Sequence, residues 1–272
     1  MSTERMNDNQ GTARMDNDRT VAGTARMDGN KGGSVTAAGV VFASGQEVVL
    51  NGKDCVIDST ISGSSGEAIV YKVTIDGKPY ALKLYNPNTP LSETAKKVIA
   101  KIKDNPKNRV IKIYDFGKYN EHDFEVMEYA EGGTLDQFLK SNGALHDTTK
   151  IKNIVKMITE GLEQLHRESK VIYQDLKPEN IYFKDAAKTS LVLADFGISS
   201  VMEGYDEEVE VTASITDLYA APELAHKGTR NEVIVTPAVD YFALGITMFE
   251  LWLGEKPFKG VKATRQGSYF II

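Results

Sequence analysis

Val171-Ile172-Tyr173-Gln174-Asp175-Leu176-Lys177-Pro178-Glu179-Asn180 sets a carboxylate, a lysine two residues on and an amide five residues on. An apolar pair leads into the stretch, and Ile181-Tyr182-Phe183 leads out of it. A buried strand cannot hold so many polar groups around a proline, so this is a loop between two elements. The residue types suit phosphoryl transfer: Asp175 to accept a hydroxyl proton, Lys177 to touch the transferring phosphate, Asn180 to hold a metal ion. The bland alternative, an exposed polar loop without chemistry, leaves the motifs on either side of it unexplained.

Those motifs lie at ordered distances. Downstream, Ser190-Leu191-Val192-Leu193-Ala194 reads as a short strand ending at Asp195-Phe196-Gly197. Upstream, Pro79-Tyr80-Ala81-Leu82-Lys83-Leu84-Tyr85 puts a lysine inside an apolar strand, where by itself it would read as an edge residue. Further upstream, the run from Ile61 to Val73 has strand formers around a turn of small residues (Gly63-Ser64-Ser65-Gly66), which lets backbone N–H groups approach phosphates. On these residues the chain resembles the Hanks-type serine/threonine protein kinases, whose catalytic loop reads H-R-D-L-K-P-E-N. The residues from Asp175 to Asn180 match consecutively, and the motifs follow in family order from about Ser59 to Gly260.

The resemblance implies a two-lobed α+β fold. A small antiparallel β lobe with one helix would span residues 44–130, and a larger, mainly helical lobe residues 131–272. ATP with Mg²⁺ would lie between them. It further implies Asp175 as base, Lys177 as phosphate contact, Asn180 and Asp195 as metal ligands and Lys83 as the nucleotide-holding lysine. Ile61, Gly63, Gly66, Val70 and Ala81 would surround the nucleotide. Met127 would be the gatekeeper, and the backbone from Glu128 to Ala130 would meet the adenine edge. In the family pattern G-x-G-x-x-G-x-V, Val70 takes the valine position, which puts Gly63, Ser65 and Ala68 at the three glycines; only the first is glycine, with Gly66 an extra one. A protein substrate, and autophosphorylation, are expected.

The helix after Lys83 is expected to start with Thr89 as N-cap and Pro90 as first helical residue and to run to about Lys103. Glu93 carries two readings: the ion-pair partner of Lys83 that the family places on this helix, or an acid favouring the positive helix N-terminus. Val110-Ile111-Lys112-Ile113-Tyr114 and the run from Phe124 to Tyr129 read as strands. Ile151, Ile154, Val155, Ile158, Leu162 and Leu165 have helical spacing with one buried face. Asp240, opening the apolar helix to about Leu253, matches the family's aspartate that braces the catalytic loop. Ala221-Pro222-Glu223 matches the family's A-P-E, and Thr216 the threonine lining the substrate site.

Two departures carry consequences. Gln174 stands where regulated kinases carry an arginine, and an amide cannot clamp a phosphate as a guanidinium does. The acidic segment from Ile198 to Ala220 is therefore expected to need no phosphorylation for activity. The chain also ends at Ile272, ahead of several helices the family carries, which reads as a large lobe cut short. Two rival readings stand beside the kinase: a pseudokinase that binds nucleotide or partners without efficient catalysis, and a small-molecule kinase of related fold.

A net charge of -6 gives no support to a nucleic-acid or acidic-membrane partner, which would favour a basic face. One cysteine, Cys55, excludes an intrachain disulfide. His122, His146, His166 and His226 show no metal-ligand spacing. No apolar leader or membrane-length run stands out, so a cytoplasmic location is expected, with a membrane segment beyond residue 272 left open. Residues 1–43 are polar and read as a disordered tail. Thr3-Glu4-Arg5-Met6-Asn7, Thr12-Ala13-Arg14-Met15-Asp16 and Thr24-Ala25-Arg26-Met27-Asp28 repeat a T-x-R-M pattern there. It is either low complexity or a set of threonine segments for a phosphothreonine-reading partner.

Overall fold

The computed structural model describes residues 34–36, 39–63, 66–204, 208–212, 218–225 and 232–257. The T-x-R-M segments, Ser64, Ser65, Ser214 and Thr216 lie outside them. A short antiparallel pair, β1 (Ser34–Thr36) and β2 (Gly39–Val41), comes first. Phe42 is buried with Tyr71 and Tyr119, its ring centroid 5.4 Å from each of theirs. Regular structure thus begins ahead of residue 44, because one aromatic side chain finds a core that the polar composition around it conceals.

β3 (Glu47–Leu50) and β4 (Lys53–Ser62) are joined by Asn51-Gly52. Both turn residues have positive φ, 47° and 79°, the geometry that suits a tight hairpin to the strand twist. β5 (Ala68–Ile75) and β6 (Lys78–Tyr85) repeat the device at Asp76-Gly77. After α1 (Glu93–Asp104), β7 (Ile113–Tyr119) and β8 (His122–Glu128) complete an antiparallel sheet of order β3-β4-β5-β6-β8-β7. Alternation sorts its two faces. Leu82, Leu84, Phe124 and Val126 join a core with Leu50, Cys55 and Ile57, whereas Tyr85 shares the core of α1, where Ala95, Val98, Ile99 and Ile102 are buried.

Two boundaries differ from the sequence reading. The N-cap of α1 is Ser92, whose Oγ accepts from Ala95 N at 3.0 Å, not Thr89. Leu91 is buried, and its N–H donates to the Asp123 carboxylate at 2.9 Å, so a tertiary contact keeps the Pro90-Leu91 segment out of the helix. The run Val110-Ile111 does not start a strand of the sheet. Ile111 N donates to Leu193 O and Leu193 N to Arg109 O, fastening it to the large lobe instead.

The large lobe follows with α2 (Leu135–Asn142), α3 (Thr148–Glu163) and a π-helical turn at Gln164–Ser169. β9 (Val171–Ile172) leads to a 3₁₀ turn at Pro178–Asn180, then to the hairpin β10 (Ile181–Phe183) and β11 (Leu191–Leu193). β12 (Ser200–Val201) pairs with β9, and β13 (Val209–Thr212) with β14 (Glu232–Val235), around α4 (Pro222–Ala225). α5 (Ala238–Leu253) is the last element among the described residues. Of the face expected to be buried, Ile151, Ile154, Ile158 and Leu162 of α3 are buried, as is Leu165 in the π-helical turn, while Val155 is half-buried. Gly161 lets α3 sit close on β11: a Cβ there would lie 2.9 Å from Leu193 Cδ1 and 3.1 Å from Arg109 O.

Candidate active site

β9 delivers the chain to the loop quoted at the outset, and α5 holds it there. The Asp240 carboxylate, fully buried, accepts from Tyr173 N at 2.9 Å and Gln174 N at 2.7 Å, and lies 2.7 Å from His166 Nε2, also fully buried. These bonds fix a backbone in which Gln174 has φ 65°, the left-handed region costly for a residue with a Cβ. The buried Tyr173 hydroxyl donates to the Ala194 carbonyl, tying the loop to the residue before Asp195.

Held this way, Asp175 has both oxygens engaged. Oδ1 accepts from Lys177 Nζ at 2.8 Å and Oδ2 from Asn180 Nδ2 at 2.6 Å. Burial pushes the Asp175 carboxyl above its ordinary value, and the Lys177 ammonium beside it offsets part of that rise. Because the Asn180 amide nitrogen is committed to Asp175, its carbonyl oxygen is the atom left for a cation.

Facing this loop, Lys83 Nζ on β6 pairs with Asp195 Oδ2 at 2.7 Å, the side chains 14% and 35% exposed. Burial alone would raise the Asp195 carboxyl, but the Lys83 ammonium takes it below its ordinary value. Burial would likewise lower Lys83; the Asp195 and Glu125 carboxylates overcome it and raise the ammonium. Glu93 is not the partner of Lys83. Its side chain is 84% exposed and bonds Lys96 at 3.1 Å, because the first turn of α1 turns that position to solvent while its apolar residues take the sheet side.

Ala81 and Lys83 lie on one face of β6 and pair across the ladder with Met127 and Glu125 of β8; Val70 of β5 is opposite Lys83. Ile61 is half exposed at the end of β4, Gly63 follows that strand, and Gly66 stands just ahead of β5. Glu128 N donates to Lys112 O at 2.8 Å, and the Glu128 carboxylate bonds Lys184 Nζ at 2.9 Å, which fastens the connection between the lobes. Ala130 packs against the main core.

In front of the loop is a cavity of about 750 Å³ lined by Asp175, Lys177, Ser92, Lys97, Tyr219 and Val239 among others. Met127, Glu128 and Ala130 do not line it, so it lies on the side away from the lobe connection. At its edge Gln174 Nε2 donates to Ser200 Oγ at 2.7 Å.

Sequence reasoning missed the polar groups of β8. Asp123 and Glu125 are buried, and the Tyr85 hydroxyl donates to Glu125. In a sequence, acids alternating with apolar residues read as the wet face of a strand. The cue available was that α1 carries no other acid in its first three turns to serve Lys83.

The family model for the protein kinase domain matches residues 59–270. The serine/threonine-protein kinase PrkC of Bacillus subtilis is 32% identical over 156 residues, 57% of this chain and 22% of that protein. A probable cell cycle serine/threonine-protein kinase, the CDC5 homolog of Encephalitozoon cuniculi, is 34% identical over 156 residues, 57% of this chain and 31% of that one. The serine/threonine protein kinase OSK3 of rice (Oryza sativa) is 30% identical over 200 residues, 72% of this chain and 37% of that protein. The chain thus spans between about a fifth and two fifths of the length of these relatives.

Proposed function

The chain belongs to the protein kinase domain family, and from that premise we propose that it transfers the γ-phosphoryl group of ATP to serine or threonine hydroxyls of proteins, its own included. The observation that carries this reading is the engaged Asp175 with Lys177 and Asn180, opposite the Lys83–Asp195 pair and open to the cavity. A substrate segment in that cavity brings its hydroxyl to Asp175. The hydroxyl oxygen forms a bond to the γ-phosphorus as the bridge to the β-phosphate breaks, ADP leaves, and the proton passes to the Asp175 carboxylate. Lys177 holds a γ-phosphate oxygen through the transfer, and Lys83 fixes the nucleotide, so that positioning and charge neutralisation supply most of the rate.

Mg²⁺ takes few protein ligands and fills its octahedron with phosphate and water oxygens. The Asp195 carboxylate and the Asn180 amide oxygen are a donor set of that kind. When bound, the ion neutralises charge on the phosphates. Asn180 and Asp195 are the residues that would hold it, Asn180 being oriented by its bond to Asp175.

The T-x-R-M threonines are proposed as sites of modification read by a phosphothreonine-binding partner. The motif alone supports this, each threonine standing two residues before an arginine. Among the described residues no helix is long and apolar enough to cross a membrane; the proposal places the reaction in the cytoplasm, where ATP is abundant.

Intact-mass measurement after incubation with ATP and Mg²⁺, beside an Asp175→Asn control, tests the reading. Phosphates on the wild type alone are the expected result, and mapping them tests the tail threonines. No mass change while nucleotide still raises the melting temperature would replace it with a nucleotide-binding pseudokinase. No nucleotide effect at all would end the proposal of a working cleft.

A further inference from the structure

Besides Asp195, with which it pairs, Lys83 faces a second acid across the sheet. It stands directly across the ladder from Glu125, on the same face, where paired side chains have their Cβ atoms about 4.5–5.5 Å apart. Glu125 is 3% exposed, and its carboxylate is anchored by the Tyr85 hydroxyl. The Tyr85 ring also lies 4.9 Å from Lys83 Nζ, so one tyrosine orients the carboxylate and backs the ammonium. The side of α1 that meets the sheet offers no acid: its buried residues are Ala95, Val98, Ile99 and Ile102, its Lys96 reaches Asp123 at 3.7 Å, and its first-turn acid, Glu93, points to solvent. A buried carboxylate is costly unless a cation or donors compensate it. Lys83 and the Tyr85 hydroxyl are what compensates Glu125, and its carboxyl sits above its ordinary value through burial with the Lys83 charge acting against that rise.

We propose that Glu125, held by Tyr85, is the permanent counter-charge that positions Lys83, taking the part that a helix-borne glutamate would otherwise play. The consequence is mechanical. Asp195 is then released to meet a metal while Lys83 keeps its orientation, and the orientation does not depend on where α1 sits. Glu125 reaches neither nucleotide nor substrate; it acts through Lys83.

The proposal rests on Lys83 serving the nucleotide, but its test does not. Acetic anhydride labels only the neutral amine, so its rate at Lys83 between pH 8 and 10, followed by peptide mass spectrometry, reports the lysine's protonation. Removing a nearby negative charge lowers that pKa and speeds labelling about tenfold for each unit it drops. Glu125→Gln is expected to speed Lys83 labelling several-fold, and Glu93→Gln to leave it unchanged. Unchanged labelling in Glu125→Gln, or acceleration in Glu93→Gln, would overturn the assignment. Tyr85→Phe, which frees the carboxylate without removing charge, is expected to keep the labelling near wild type while loosening a fluorescent ATP analogue several-fold. It serves as the second variant if Glu125→Gln does not fold; tight nucleotide binding in Tyr85→Phe would count against the anchor. A wild type that binds no nucleotide would sink the kinase reading, while the labelling comparison would still decide the pairing.

Discussion

Asp175 works against its surroundings: burial favours its neutral form, and Lys177 holds it ionised. The base form is the ionised one, so activity falls as pH drops through a value above that of an ordinary carboxyl. Lys177→Ala removes the charge that opposes burial. Its acid limb should move to higher pH, and the pH dependence of kcat/KM for the protein substrate checks it; an unmoved or lowered limb would contradict the assignment. Asp175→Asn should cost about 10²–10⁴ in kcat, the usual share of a general base. The Lys83–Asp195 pair has a different signature. Asp195 has a depressed pKa in the folded state, so its contribution to stability is complete above the ordinary carboxyl value and is lost as pH falls through the lowered one. Lys83, raised in the folded state, contributes fully below the ordinary lysine value and loses that contribution only as pH rises through its elevated one. The pair is therefore at full strength around neutrality. The difference in melting temperature between wild type and Asp195→Asn should hold steady near pH 7 and change only in strong acid or strong base.

At the scale of elements, much was legible and the gaps have physical causes. The spacing of Asp175, Lys177 and Asn180 survives intact because those residues lie within six positions, where local backbone geometry decides what meets what. The expected pairing of Lys83 with Glu93 did not survive: Lys83 meets Asp195, and the acid opposite it in the ladder is Glu125, a neighbour that depends on strand register because the two are distant in the chain. The start of α1 moved because Asp123 captures the Leu91 N–H, a contact no helix signal encodes. The segment after Gly197 shows the gain from element geometry. β12 pairs with β9, and Gln174 is bonded to Ser200 by neutral groups, so this part of the loop is tied down without a phosphate. Activity should therefore be present before any modification of the 198–220 segment; a large rate increase on phosphorylation there, lost in Thr212→Ala, would refute this. Close packing makes a separate prediction. A Cβ on Gly132 would sit 2.4 Å from Asp185 O and 2.5 Å from Phe183 Cβ. Gly132→Ala should thus destabilise the protein by about 1–3 kcal/mol, as overpacking does, measured by denaturant unfolding.

Among the described residues, one hydrophobic cluster runs from Tyr85, Val98 and Ile99 of the small lobe through Ile158 and Leu162 to Leu244 and Leu251 of α5, while a second joins Phe42 to one face of the sheet. The lobes thus share a core in addition to the Glu128–Lys184 bridge between them. Leu162→Ala should cost about 2–5 kcal/mol and lower the transition of the molecule as one event rather than splitting it in two. A second, unaffected transition on the same melt would show that the lobes unfold separately.

Asp240 gives that coupling a time scale. Its carboxylate caps the amide hydrogens of Tyr173 and Gln174 from a fully buried position. Those two hydrogens, one and two residues from the proposed base, can exchange with deuterium only when α5 lets go. They should rank among the slowest in the chain and exchange together. Their common rate is a clock for how often the catalytic loop is released.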